Sequence, residues 1–240
     1  MTNTAISPGG ADLRALLPPV RDQEQRGTCV AFAVTAAHEV AHAAGAGMTE
    51  DLSEEALFWG CKLIDGNWNT GTRFASAAAA LASTGQPPEA IWPYEPRRRA
   101  GTPYKPPVTP DEDWHRSGIA QMPTDLAAVR TAISTGLPVV LGVTVFDTLF
   151  APSGAGRIDP PPSGSPARGT HAVLAVGHDA GALLIRNSWG ASWGLSGYGW
   201  LSDEYAKLHV KEAWAIGPRS DADGDATASG ARGAGEVYGA

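Results

Sequence analysis

The chain has 240 residues, 43% of them apolar and 18% charged, which excludes wholesale disorder and a miniature fold that depends on disulfide staples. Its formal charge of −7 argues against nucleic acid as a main partner, because neutralising phosphates needs a basic surface. The longest run of small residues, 75–82, is far short of the ~20 apolar residues that span a bilayer, so no membrane partner is expected.

Residues 1–10 are rich in Thr, Ser, Gly and Pro, and 1–18 are expected to be a flexible segment. A helix begins at Cys29 and runs to about Ala44. Apolar residues occupy most of its faces, the mark of a buried helix, and Gly45 and Gly47 should stop it. A second helix starts after Ser53, a good N-cap, with Glu54 and Glu55 facing the helix dipole. An Ala-rich third helix covers 73–84 and ends at Gly85. The proline-rich stretch 93–113 reads as an extended crossover between two lobes, with arginines 97–99 on a solvated face. A short helix at 124–135, capped by Thr124, leads into strands at 138–146, 171–178, 182–188, 197–202 and 212–217. A long Pro/Gly-rich loop, 147–170, separates the first two strands, and 218–240 read as a disordered tail. Helices first and strands second make an α+β chain, with a helical lobe over 19–110 and a β-rich lobe over 111–217.

The cysteines are Cys29 and Cys61, and the opening residues lack the basic and apolar regions of a secretory leader. That suggests a cytoplasmic chain with reduced thiols, where a cysteine is more often catalytic or metal-binding than a staple. Cys29 stands at the start of the buried helix, where unpaired backbone N–H groups and the helix dipole favour thiolate. Gln23, six residues upstream, could offer its amide as a second donor to an oxyanion beside the Cys29 N–H. A nucleophile of this kind needs a base and an orienter, and His171 opens one strand while Asn187 ends the next. If 179–181 form a three-residue hairpin loop, Ala182 pairs with His178 and Asn187 lies diagonal to His171 on one sheet face. Trp189 then stands opposite His171. A two-residue loop would put His171 and Asn187 on opposite faces.

The stretches VRDQ-x5-CVAFA (20–33), LSEEAL (52–57), WPYE (92–95), HAVLAVGH (171–178) and IRNSWGASWGLSGYGWL (185–201) occur in the order seen in papain-like cysteine peptidases, which the chain resembles over 20–201. The resemblance implies a two-lobe fold, with a helical lobe around a buried central helix and an antiparallel β-barrel-like lobe. It implies Cys29 as nucleophile, His171 as base and later acid, Asn187 as orienter of the imidazole, and Gln23 in the oxyanion hole. Trp189 would shield the His–Asn contact. The activity implied is hydrolysis of peptide or protein substrates, as an endopeptidase, with no cofactor and no metal. Gly71 and Thr72 would supply backbone that pairs with substrate, and Thr170 would line the pocket selecting the second residue before the cut. There are departures. Val30 replaces the usual aromatic after the nucleophile, and Arg26 stands where secreted members carry a cysteine. Cys61 matches a half-cystine whose partner is missing, so it is expected to be a free core thiol. No inhibitory pro-region is expected ahead of the catalytic part, which leaves restraint to the 147–170 loop, a narrow substrate range, or a separate inhibitor or activator protein.

Three other readings compete. HEVAH (38–42) matches the His-Glu-x-x-His helix of zinc peptidases, although Met48 occupies the position of a third ligand. In the resemblance, Glu39 coincides with a buried glutamate expected to pair with Arg186, with Glu54 nearby. A catalytically inactive binding protein with the same fold is the second, and a narrower acyl transferase or maturation peptidase using the same triad the third.

Overall fold

The computed structural model describes residues 9–47, 50–217 and 235–239. Its elements in chain order are β1 (Ala11–Asp12), α1 (Cys29–Ala46), α2 (Glu54–Asp65), α3 (Phe74–Ser83), β2 (Gly118–Met122), α4 (Leu126–Ser134), β3 (Val139–Val145), α5 (Asp147–Phe150), β4 (Arg157–Ile158), β5 (Gly169–Asp179), β6 (Ala182–Arg186), β7 (Tyr198–Ser202), α6 (Asp203–His209) and β8 (Val210–Gly217). No helix among the described residues is long and apolar enough to cross a membrane.

The three leading helices form where local chemistry starts and stops them. Ser53 Oγ accepts the Ala56 N–H at 3.0 Å and caps α2. Gly47, at φ 71°, takes the left-handed turn that ends α1, its N–H donating to Ala43 O. α1 is apolar almost all round because it has neighbours almost all round: α2 and α3 on one side, β3, β5 and β8 on the other. α4 is capped one residue later than the sequence suggests, since Asp125 rather than Thr124 accepts the first-turn N–H of Ala128.

The sheet runs β2-β8-β3-β5-β6-β7-β4, with β1 added to β5. Every pairing is antiparallel except β4 with β7. α5 and β4 break up the stretch read as one loop. β2 and α6 lie outside the elements expected from the sequence, although α6 carries a local signal: Ser202 caps it, and Asp203 and Glu204 fill its first turn.

Two expectations about the chain's outer parts need correction. The segment expected to be flexible is fixed over 11–17, where Ala11 pairs with His178, Asp12 with Gly177, and Leu13 N donates to Val176 O. Residues 1–8 lie outside the described residues. The stretch expected to be a disordered tail lies outside them over 218–234, but Tyr238 is wholly buried and pairs with Thr72. The crossover also differs from the reading. Arg98 turns inward, its guanidinium 3.9 Å from the Tyr104 ring centroid and ion-paired with Glu55.

The β5–β6 hairpin corrects the assumed loop. Asp179 pairs with Ala182, so the loop has two residues. An extra residue, Val176, is bulged between Ala175 and Gly177, and beyond it Leu174 faces Arg186. The bulge offsets the shorter loop, and the strands reach the end carrying His171 and Asn187 in the register that the longer loop would have produced.

Candidate active site

Cys29 is the first residue of α1 and is wholly buried. The loop leading to it is clamped from the helical side by the SEE and PYE motifs. Arg21 forms ion pairs with Glu54 at 3.3 Å, with Asp51 at 3.0 Å and with Glu89. Arg26 pairs with the buried Glu55. The Tyr94 hydroxyl donates to Gln23 O at 2.8 Å and lies 2.9 Å from Thr28 Oγ1. Two arginines and a tyrosine therefore hold the backbone on which the thiol and Gln23 sit.

Gln23 is oriented from both ends. Its Oε1 accepts from Ser188 Oγ at 2.6 Å, and its Nε2 donates to Arg26 O at 2.7 Å. Its backbone N–H donates to Ser188 O, and Gly190 N donates to Arg21 O. These bonds join the loop leading to Cys29 to the segment that follows Asn187.

His171, on β5 opposite Val143, is buried, and its Nε2 lies 2.7 Å from Asn187 Oδ1. That same oxygen accepts the Ser188 N–H at 2.8 Å, which fixes the amide with oxygen toward the ring. An oxygen there can only accept, so Nε2 carries the proton and Nδ1 is the nitrogen left for proton exchange. Trp189 stacks on the imidazole with centroids 4.5 Å apart, and Phe150 stacks on the other face of Trp189 at 5.2 Å. Two aromatic layers thus cover the His–Asn bond.

The remaining residues singled out from sequence lie on the two sides of a groove. Gly71 N donates to Gly27 O, and Gly71 O accepts from the buried Lys62 Nζ at 2.6 Å. Asp65 takes both Lys62 Nζ and the Thr72 hydroxyl, so a buried ion pair stiffens this edge. Thr72 N donates to Tyr238 O and Tyr238 N to Thr72 O, while across the groove Thr170 Oγ1 donates to Val237 O at 2.8 Å. Tyr94, Lys62, Asp65, Glu212 and Tyr238 had no assigned part in the sequence reading. Of these, Tyr94 alone sat inside a motif already noticed.

The HEVAH helix does not assemble the zinc site its spacing suggested. His38 is buried, bonded through Nδ1 to Gln86 Oε1, and burial lowers its pKa to about 4. Glu39 accepts the Leu52 N–H, and burial raises its pKa to about 8. The direct pair of Glu39 with Arg186 is also corrected, because the guanidinium donates to Pro18 O and Pro19 O at 2.6 and 2.7 Å. Arg186 acts on Glu39 through space only. His42 points elsewhere, toward Glu50 and His115, and these three place one ligand atom each within 4.8 Å of one another. Cys61 is a free, wholly buried thiol whose pKa burial pushes up to about 12.

The family described as papain family cysteine protease matches residues 8–216. Digestive cysteine proteinase 3 of Homarus americanus is 30% identical over 196 residues, covering 77% of this chain and 58% of that protein. Cathepsin R of Mus musculus is 29% identical over 195 residues, covering 77% of this chain and 57% of that protein. The chain thus spans less than two thirds of these relatives' own length. Among solved structures, xylellain, a cysteine protease from Xylella fastidiosa, superposes with a TM-score of 0.75 at 27% identity, covering 90% of this chain and 88% of that one. The bromelain protease from Ananas comosus, in complex with the E64 inhibitor, shares the fold with a TM-score of 0.70 at 23% identity, covering 89% of this chain and 100% of that one. A helix-borne cysteine, an Asn-oriented histidine and a family match over most of the sequence converge: the chain belongs to the papain family of cysteine proteases.

Proposed function

We propose that the protein is a cysteine endopeptidase acting through Cys29, His171, Asn187 and Gln23. The observation that carries the reading is the 2.7 Å bond from His171 Nε2 to Asn187 Oδ1 beneath Trp189, which leaves Nδ1 to exchange protons. Cys29, at the head of α1, passes its thiol proton to His171 Nδ1 and as thiolate adds to a peptide carbonyl carbon. The Cys29 N–H and Gln23 Nε2 take the charge on the carbonyl oxygen. His171 gives its Nδ1 proton to the amine, the C–N bond breaks, and an acyl thioester remains on Cys29. Water then attacks the thioester as His171 takes one of its protons, and the C–S bond breaks to release a carboxylic acid and regenerate Cys29. Gly71, Thr72 and Thr170 hold the substrate main chain along the groove.

The E64 inhibitor, carried by the bromelain structure, is the probe. It should modify Cys29 stoichiometrically and stop hydrolysis of peptide substrates, and Cys29→Ala should be inactive. Hydrolysis that survives Cys29→Ala, or that a chelator abolishes, would sink the reading. The reading extends to a cytoplasmic setting, supported by the free Cys61 thiol, and to restraint by a separate inhibitor or activator protein. Free cleavage of many unrelated proteins by the purified enzyme would count against that restraint.

A further inference from the structure

The groove between Thr72 and Thr170 holds residues 235–239 of the chain itself. Arg73 Nε donates to Gly235 O at 3.0 Å, and Thr72 exchanges both backbone bonds with Tyr238, at 3.1 and 2.9 Å. From the facing side, Thr170 donates its hydroxyl to Val237 O and accepts Gly239 N at 3.4 Å. The segment runs from Arg73 toward the nucleophile loop. The Gly239 carbonyl oxygen ends 3.0 Å from where a Cβ on Gly27 would lie, two residues before Cys29. An extended peptide bonded in this way to both walls has the posture of a substrate's acyl part.

Its two inner residues meet surfaces shaped for them. Tyr238 is wholly buried, its ring 4.8 Å from that of Phe74. Its hydroxyl donates to Glu212 Oε1 at 3.1 Å, while Glu212 Oε2 accepts the Trp214 indole N–H at 3.0 Å. Gly142 on β3 leaves the space for the ring, since a Cβ there would lie 2.5 Å from Tyr238 Cζ. Burial and the neighbouring Glu212 raise the Tyr238 pKa, which keeps its hydroxyl a donor. The next residue has no such room. A Cβ on Gly239 would lie 2.8 Å from Gly71 Cα and 3.1 Å from Gly71 N, and backbone cannot swing aside as a long side chain can.

We propose that the groove selects a tyrosine followed by a glycine on the acyl side of the bond to be cut, and that residues 235–239 are its resident ligand, which substrates must displace. The proposal rests on the peptidase reading. Tyrosine fits because its hydroxyl meets Glu212, and phenylalanine would leave that oxygen without a donor. A tethered ligand acts at an effective concentration on the order of millimolar for short tethers, so even a weak segment competes.

The test uses the full chain and the fluorogenic peptide acetyl-Glu-Val-Tyr-Gly-aminomethylcoumarin, with versions carrying Phe, Leu or Arg for Tyr, and Ala for Gly. The Tyr-Gly peptide should have a kcat/KM at least tenfold above each of the others. Glu212→Leu should abolish the advantage of Tyr over Phe. Tyr238→Ala and Gly239→Leu should each lower KM for the Tyr-Gly peptide at least threefold by clearing the groove. Gly239→Leu changes a residue outside the core and covers the case in which Tyr238→Ala fails to fold. Preference for Arg or Leu over Tyr, equal cleavage of Tyr-Ala, or an unchanged KM in Gly239→Leu would overturn the proposal while leaving the peptidase reading intact. Fluorescein-labelled Glu-Val-Tyr-Gly should bind Cys29→Ser/Gly239→Leu more tightly than Cys29→Ser alone. Binding of that kind in a protein that cuts no peptide would mean that the peptidase reading had failed and the ligand assignment had not.

Discussion

Glu39 shows how far a residue's role depends on what surrounds it. The sequence resemblance pairs it with Arg186, but the arginine is committed to the Pro18 and Pro19 carbonyls, and Glu39 is left bonded to the Leu52 N–H. Burial then dominates the through-space help of Arg186 and raises its pKa from the ordinary value of 4.5 to about 8. The folded protein therefore holds a proton between those pH values that the unfolded chain releases, and stability falls as pH rises through this window. His38 acts with the opposite sign. Its pKa is lowered by burial from 6.5 to about 4, so below pH 6.5 the unfolded chain binds the extra proton and stability is lost as pH falls. The two slopes overlap in acid, and between about pH 6.5 and 8 the opposing His38 effect is absent while that of Glu39 persists. Glu39→Gln keeps an acceptor for Leu52 and has no proton to lose. Urea unfolding at pH 6.5, 7.3 and 8.0 should show a shallower loss of stability in the variant than in the parent, whose Glu39 contributes at most about 1.4 kcal/mol per pH unit. Glu54 is shifted in the same direction, so the slope shrinks without vanishing. Equal slopes in both proteins would remove Glu39 from the account.

At the scale of elements, the chain from β1 to Gln23 is a strap laid along the β5–β6 hairpin. It pairs at Ala11 and Asp12 near the hairpin turn, gives its Pro18 and Pro19 carbonyls to Arg186, and bridges Asp22 to Trp189 beside the histidine. Arg186→Met keeps the buried stem but leaves two carbonyls without donors, so it should cost about 1–3 kcal/mol in urea unfolding. Hydrogen exchange should speed up over 11–23 before any other segment. Uniform acceleration through α1–α3 would show that the arginine supports the core and not the strap. Much at this scale was legible in the sequence, because helix signals are local: Ser53, Gly47 and Gly85 announce their ends within a turn. The His171–Asn187 juxtaposition was legible for a less secure reason. The assumed loop was one residue too long, and a bulge at Val176, which no local pattern marks, restored the register. Tyr238 was illegible. Its partners Thr72, Phe74, Gly142 and Glu212 are scattered through the chain, and its own neighbours are glycine and exposed Glu236 and Val237.

For the whole molecule, the consequence is a cleft tied at both ends. The strap joins its walls at Asp22 and Trp189, and residues 235–239 join them between Thr72 and Thr170. Both cysteines are wholly buried, yet for different reasons. Cys61 lies within α2, packed in the core, and reaching it requires breaking that core. Cys29 heads α1 beside residues 235–239, and if these are the resident ligand proposed above, what must move to reach it is a short segment held by a few hydrogen bonds and one buried ring. Opening of that kind is sub-global and exposes little surface, whereas exposing Cys61 exposes most of it. Iodoacetamide labelling followed by peptide mass spectrometry at increasing urea should therefore give two curves. Cys29 should be alkylated in native buffer at a rate almost independent of urea, and faster in Gly239→Leu. Cys61, whose raised pKa further slows it, should stay unlabelled until the unfolding transition and then rise steeply. If the two thiols share one urea dependence, the cleft opens only when the protein unfolds, and residues 235–239 are part of the core and not a ligand that can leave it.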